Sequence, residues 1–187
     1  MNKVPAYSWY AIYTNARAEK KVEDQLKRQG IECYLPLQKR LKQWSDRKKW
    51  VEEPLFRSYL FVYVSELEYM KVLQTYGVVR FITFERKAVA IPPEQITLVR
   101  RLLLEEIDME VVEQDFEPGD LVEVNAGPMM GMKGELVSLQ GEFRVRVRFE
   151  LLAQSILVNI PSGWLKTIRK ADPTEKESPG SRLWQAM

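Results

Sequence analysis

The chain contains no histidine and a single cysteine, Cys33. It also has no apolar run near the roughly 20 residues that a membrane-spanning helix needs. Each absence removes a class of chemistry. Without histidine, the commonest general base and the commonest transition-metal ligand are gone. One cysteine makes no internal disulfide and no thiolate zinc cluster. No GxxxxGK[ST] phosphate cradle occurs. The opening residues, MNKVPAYSWY, lack the apolar segment of a secretory signal, so a cytoplasmic protein with no membrane partner is expected. The acidic residues lie among lysines and arginines and form no convergent cluster, which makes a carboxylate-pair enzyme the weakest reading. The expectation is a binding protein that is not an enzyme and needs neither cofactor nor metal.

What is present fits that expectation. With 187 residues, 45% of them hydrophobic, the chain can fill one mid-sized core or two small ones. The net charge of +2 hides an uneven distribution: basic residues are dense from Arg17 to Lys49, and Glu105 to Glu117 is acidic. A local basic surface suits a phosphate backbone. The plainer alternative is a solvated face.

Trp9 to Thr14 (WYAIYT) is aromatic and β-branched on both faces, the pattern of a central strand covered on two sides. Asn15 offers an N-cap for a helix reaching about Gln29, with Ala18, Val22 and Leu26 as its buried stripe. Arg17, Lys20, Lys21, Lys27 and Arg28 fall on the opposite arc, interrupted by Asp24, and Gly30 stops the helix. Ile31 to Leu37 reads as a strand, and Lys39 to Trp50 as a basic hairpin or loop turning at Ser45-Asp46. Tyr59 to Val64 reads as the strongest strand of the chain. A short helix over Leu67 to Thr75 and a strand over Val78 to Phe84 follow. Pro92 and Pro93 open another helix, with Ile96, Val99, Leu103 and Ile107 on its apolar side. Beyond an acidic stretch the grammar changes. Leu121–Val124, Gly134–Leu139, Phe143–Phe149, Ser155–Ile160 and Leu165–Ile168 are short β runs separated by Gly, Pro and Asn, which suggests a small five-stranded barrel. The expected division is residues 1–107, an acidic linker 108–116, a β domain 117–170 and a flexible tail 171–187.

In this order, WYAIYTNARAEKKVEDQL, PLFRSYLFVYV, VVRFI and FEPGDLVEVNAGPMMGMKGEL resemble the NusG proteins over roughly Trp9 to Ile168. The later part resembles a KOW domain, whose pattern is carried by Gly119, Asp120, Val122, Val124, Gly127, Pro128, Gly131 and Gly134. The resemblance implies an α+β protein: an N-terminal NusG-type α/β sandwich with a largely antiparallel sheet, then an SH3-like five-stranded KOW barrel. EPLFRSYLFV is closer to RfaH-like specialised paralogues. ILVNIPSGWLKTI is similar to UpxY-type antiterminators, which act on polysaccharide operons. A general elongation factor is the alternative within the family. A KOW-containing structural protein of the ribosome is the alternative from another class, and co-purification with polymerase or with ribosomal particles separates the two.

The resemblance implies that the N-terminal domain binds the clamp helices of the largest RNA polymerase subunit through an apolar patch, here Tyr10, Phe56, Tyr59 and Phe61, with Phe81 and Phe84 in addition. Strand alternation puts Tyr59, Phe61 and Tyr63 on one face and Leu60, Val62 and Val64 on the other, and the aromatic face is assigned to the partner. The alternative is that these rings are ordinary core. Arg17, Lys20 and Lys21 would meet the non-template DNA strand. Tyr76 stands where RfaH-like factors carry an arginine, free to stack on a flipped base or to pack. Arg47, Lys48 and Lys49 would reach upstream DNA or be solvated. Glu68, Tyr69, Met70 and Lys71 stand where RfaH carries its HTTT motif, a departure that removes support for a second polymerase contact. Leu151 and Leu152 would form a docking knob for Rho or a small-subunit ribosomal protein, or belong to the core. Alternation at Val145, Val147, Phe149, Ile156, Val158 and Ile160 predicts a stable barrel with no helical alternative.

Overall fold

The computed structural model describes residues 5–44, 47–84, 86–112, 119–139, 142–149, 152 and 154–171. The chain divides into two compact units, Met1–Leu103 and Leu104–Met187.

The first unit is built on an antiparallel sheet. Its strands are β1 (Ser8–Thr14), β2 (Glu32–Tyr34), β5 (Tyr59–Val64) and β6 (Val78–Phe81), in the order β2-β5-β1-β6, and the short β9 (Ala90–Ile91) also pairs with β1. β5 and β1 are therefore interior strands. Trp9, Ala11 and Tyr13 face the same side as their partners Tyr63, Phe61 and Tyr59. Tyr10, Ile12, Leu60, Val62 and Val64 face the other side. That second face is covered by α1 (Glu19–Arg28) and α2 (Tyr69–Leu73), whose Val22, Leu26 and Val72 close a core over Ile12, Leu60, Val62 and Phe81. Over the first face lies α3 (Pro93–Leu104); its Arg100 guanidinium sits 5.5 Å from the Trp9 ring and 4.8 Å from the Tyr34 ring. Burial of Ile96, Val99 and Leu102 in α3 supplies about 1.5–3 kcal/mol per side chain.

Two hairpins stand apart from this sheet. One joins β3 (Leu37–Gln43) to β4 (Lys48–Pro54), and the other joins β7 (Thr83–Phe84) to β8 (Lys87–Ala88). The first realises the hairpin reading of the basic segment; its turn at Ser45-Asp46 lies outside the described residues.

Helix α1 begins later than the sequence suggests. Its N-cap is Ala18, with no side-chain capping bond. Asn15 instead accepts the Ala18 N–H (3.1 Å) and donates its own N–H to the Gly77 carbonyl (2.9 Å). Both of these bonds use the Asn15 backbone. In α3 the buried position is Leu102 rather than the expected Leu103, and Ile107 lies beyond the helix end.

The second unit is an antiparallel sheet of six strands, not five: β10 (Met109–Val112), β11 (Leu121–Val124), β12 (Lys133–Leu139), β13 (Glu142–Phe149), β14 (Gln154–Val158) and β15 (Leu165–Arg169). Their order is β10-β14-β13-β12-β11-β15. The extra strand corrects the linker. Met109 to Val112 pair with Val158 to Ser155, and Met109 is buried. The acidic residues around this strand mask a four-residue run that completes the sheet. The rest of the expected linker, 113–116, and the tail from 172 lie outside the described residues. Between β14's neighbours every residue from Gln154 to Val158 is buried. Two glycines are required by close approach: a Cβ on Gly119 would lie 1.8 Å from the Leu136 carbonyl oxygen, and one on Gly127 (φ +75°) 2.2 Å from the Trp164 ring. Arg146 is buried and ion-paired to Glu135 across β12 and β13.

Candidate functional site

The expected aromatic patch does not lie on one surface. Phe56 and Phe61 are completely buried and meet edge to face at 5.9 Å, with Tyr34 stacked over Phe61. Phe81 is also buried, on the opposite side of the sheet, stacked on Tyr69 at 4.2 Å and met edge-on by Tyr10. Half-buried Tyr10 thus belongs to the rim of the helix-covered core. Phe84 is well exposed, but in the separate β7–β8 hairpin. Strand alternation exposes no aromatic face here, because β5 is an interior strand covered on both sides. Neither of its faces is available as a whole.

What remains accessible on the aromatic face lies at its two ends, half-buried Tyr63 at one and the Tyr13–Tyr59 pair at the other. Tyr13 and Tyr59, directly paired across β1 and β5, are both half-buried and meet at 5.4 Å with ring planes at 72°. The Arg80 guanidinium lies 5.7 Å from the Tyr13 ring. Beside them, the turn at Arg57-Ser58 is held in an unusual shape. Ser58 has φ +64°, a left-handed conformation that costs a non-glycine residue about 1 kcal/mol or more. Two bonds hold it: the buried Glu19 carboxylate accepts the Ser58 N–H (2.8 Å), and the Ser58 carbonyl accepts the Thr14 N–H (2.8 Å). Glu19 from α1 therefore positions the entry to β5. Tyr13, Arg80 and Glu19 were not singled out from the sequence. Tyr13 was legible as the last ring of WYAIYT; nothing local marks Glu19.

A second surface gathers the basic start of α1. Arg17, in a left-handed turn (φ 62°), Lys20 and Lys21 are exposed. Gly77 lets the loop after α2 lie directly on α1: a Cβ there would stand 2.8 Å from a Val22 methyl, and its φ is +98°. This places exposed Tyr76 beside Lys21, whose ammonium is 5.1 Å from the ring. Gln25 donates to the Tyr76 carbonyl (3.1 Å) and fixes the loop. Lys20 points elsewhere and donates to the Glu52 carbonyl of β4 (2.9 Å), so it ties α1 to the first hairpin. Arg47, Lys48 and Lys49 are exposed on that hairpin, separate from the Tyr76 surface along the chain.

In the second unit Leu152 is buried, which agrees with the core alternative and not with a docking knob. Leu151 lies outside the described residues. Burial, reinforced by the Glu23 carboxylate, pushes the Cys33 thiol up to about 11, so it stays protonated near neutrality and is a poor nucleophile. Among the described residues no group of three or more His, Cys, Asp or Glu is placed to hold a metal ion, and no helix is long and apolar enough to cross a membrane.

Comparison with known proteins points in one direction. The family model described as "Transcription termination factor nusG" matches residues 7–100, about half the chain. A solved structure of Thermotoga maritima NusG is similar in fold, with a TM-score of 0.53 at 23% identity, covering 88% of this chain and 98% of that one. A crystal structure of an MjSpt4:Spt5 complex aligns over 88% of this chain and 99% of that one at 16% identity, but its TM-score of 0.28 carries no structural argument.

Proposed function

The chain belongs to the NusG family of transcription factors, and from that premise we propose that it is an elongation and antitermination factor that docks on the clamp helices of RNA polymerase. The observation that carries the reading is the half-buried Tyr13–Tyr59 pair, two rings in edge contact at one end of the aromatic face. Aromatic side chains anchor interfaces well because they bury much area at low entropic cost. Phe56 and Phe61 are buried and make no direct contact in the proposal. A factor held across the polymerase cleft binds the closed state better than the open one. It therefore shifts the population away from pausing without covalent chemistry.

Arg17, Lys21 and Tyr76 form the proposed contact with the non-template strand. The cations bind phosphate without reading sequence, and the tyrosine, already beside a lysine, offers a stacking face. The second unit is proposed to be a KOW domain that recruits Rho or a small-subunit ribosomal protein. The segments EPLFRSYLFV and ILVNIPSGWLKTI favour a specialised factor acting on polysaccharide-type operons over a general one. The test is pause escape in a purified elongation system. Tyr13→Ala/Tyr59→Ala is expected to abolish pause suppression while circular dichroism stays native. Undiminished activity would remove the site.

A further inference from the structure

The turn that leads into β5 is held against the preference of its own residues, and the group that holds it comes from another element. The Phe56 carbonyl accepts the Tyr59 N–H (3.3 Å), which closes a turn over Phe56, Arg57, Ser58 and Tyr59. Ser58, the third residue, has φ +64°, whereas Arg57 is not left-handed. This is the sign pattern of a type II turn, whose third position favours glycine or asparagine. A type I turn would give serine an ordinary negative φ at the same place. The two types differ by about half a rotation of the central peptide, here the one joining Arg57 to Ser58. The direction of the Ser58 N–H therefore decides which turn is present.

An acceptor for that N–H is in place. Glu19 is the first residue of α1, a helix with no side-chain capping bond at Ala18. Its carboxylate accepts the Ser58 N–H (2.8 Å), 39 residues further along the chain, and Glu19 is only 6% exposed. Burying a carboxylate is costly unless it accepts strong bonds, so helix formation alone gives no reason for one here. The following peptide is fixed as well, since the Ser58 carbonyl accepts the Thr14 N–H (2.8 Å). Tyr13 precedes Thr14 and Tyr59 follows Ser58. The two rings that meet at 5.4 Å are thus each one residue away from this bond. Strained backbone persists only where its surroundings over-determine it, and such positions cluster at functional sites.

We propose that Glu19 is a positioning residue for polymerase docking: by accepting the Ser58 N–H it holds the central peptide of the turn flipped, and so fixes where Tyr59 stands beside Tyr13. Glu19 itself touches no partner. The inference rests on the docking reading above and adds the device that preorganises it. Without the carboxylate the turn relaxes, the docking conformer becomes a minor one, and the apparent affinity falls by the fraction lost. The experiment is a titration of labelled full-length protein against core RNA polymerase, with circular dichroism as the check on folding and Tyr13→Ala/Tyr59→Ala as the reference for the docking reading. Glu19→Ala should weaken binding by about tenfold. Glu19→Gln keeps an acceptor oxygen and should bind nearly as wild type. In Glu19→Ala/Ser58→Gly the glycine takes a positive φ without strain, so affinity should return to within about twofold of wild type although the carboxylate is still missing. A residue needed only for stability would show no such recovery, because glycine restores no buried contact. Amide exchange of the Ser58 N–H, measured without polymerase, should speed up in Glu19→Ala and stay slow in Glu19→Gln. A weakened tyrosine variant beside an unchanged Glu19→Ala would overturn this proposal alone. An unchanged tyrosine variant would overturn the docking reading, and the positioning role with it. Failure of the glycine to restore binding, or a loss in Glu19→Gln equal to that in Glu19→Ala, would also overturn the proposal. Should Glu19→Ala not fold, the affinity and the Ser58 exchange of Glu19→Gln decide it.

Discussion

The two units cover their sheets by different means. In the first, helices lie on both faces of β5 and β1, so the interior strands are apolar on both sides, as YLFVYV shows. The second is built almost wholly of strands, and there β13 alternates only in part: Val145, Val147 and Phe149 are buried and Arg144 and Arg148 half-exposed, but Arg146 between them is buried as well. Each unit also buries a charge, but for different ends. Glu19 accepts a backbone N–H and shapes a turn at the candidate docking surface, whereas Arg146 pairs with Glu135 inside the sheet. A period-2 pattern therefore identifies an inside and an outside only where one face is left uncovered. In the first unit the partner-binding surface has to be sought at the ends of strands, not along a face.

The sharpest way to break this contrast is to remove a ring from the doubly covered strand. Phe61→Ala should cost about 3–5 kcal/mol in urea unfolding of the full chain, because Phe61 packs against Phe56 and Tyr34 with no exposure. A loss below about 1 kcal/mol would mean that the ring is a surface group after all. In the second unit, Glu135→Ala would leave the buried Arg146 guanidinium without its carboxylate, at a cost of about 3 kcal/mol. Amide exchange of β12 and β13 should speed up while that of β1 and β5 does not. Equal loosening of both would show that the units do not respond separately.

The smallest effect concerns pH. The Ser65 backbone N–H, bonded to Glu68 at 2.9 Å and helped by the Ser65 and Tyr7 hydroxyls, holds the Glu68 carboxyl below its ordinary 4.5. A lowered folded pKa adds stability above the unfolded value, and that stability is lost as pH falls through the folded one. The melting temperature of Glu68→Gln should thus lie slightly below wild type at neutral pH, with the gap closing below about pH 4.5. A gap that persists or widens in acid would contradict the assigned bonds.

Much of the fold is readable along the chain, since local pattern and tertiary environment agree there. The β1 and β5 strands, the Val22–Leu26 stripe and the five later strands are of this kind. What could not be read depends on distant partners. The Asn15 backbone pairs with Gly77, and α1 takes Ala18 as its N-cap. Met109–Val112 is a strand only because β14 offers it an edge. Phe61 is sealed by Phe56 and by Tyr34, which comes from elsewhere in the sequence. The basic hairpin was visible from its charges, but which of its residues share a face with Trp50 follows only from the register.

Direct binding to RNA polymerase tests the central claim with least intervening chemistry. In a titration of labelled full-length protein against core polymerase, Tyr13→Ala/Tyr59→Ala should weaken binding by at least about tenfold, the effect of losing a central aromatic anchor, while Phe84→Ala leaves it near wild type. Wild-type affinity in the double tyrosine variant, or a larger loss from Phe84→Ala, would place the contact surface elsewhere on the first unit.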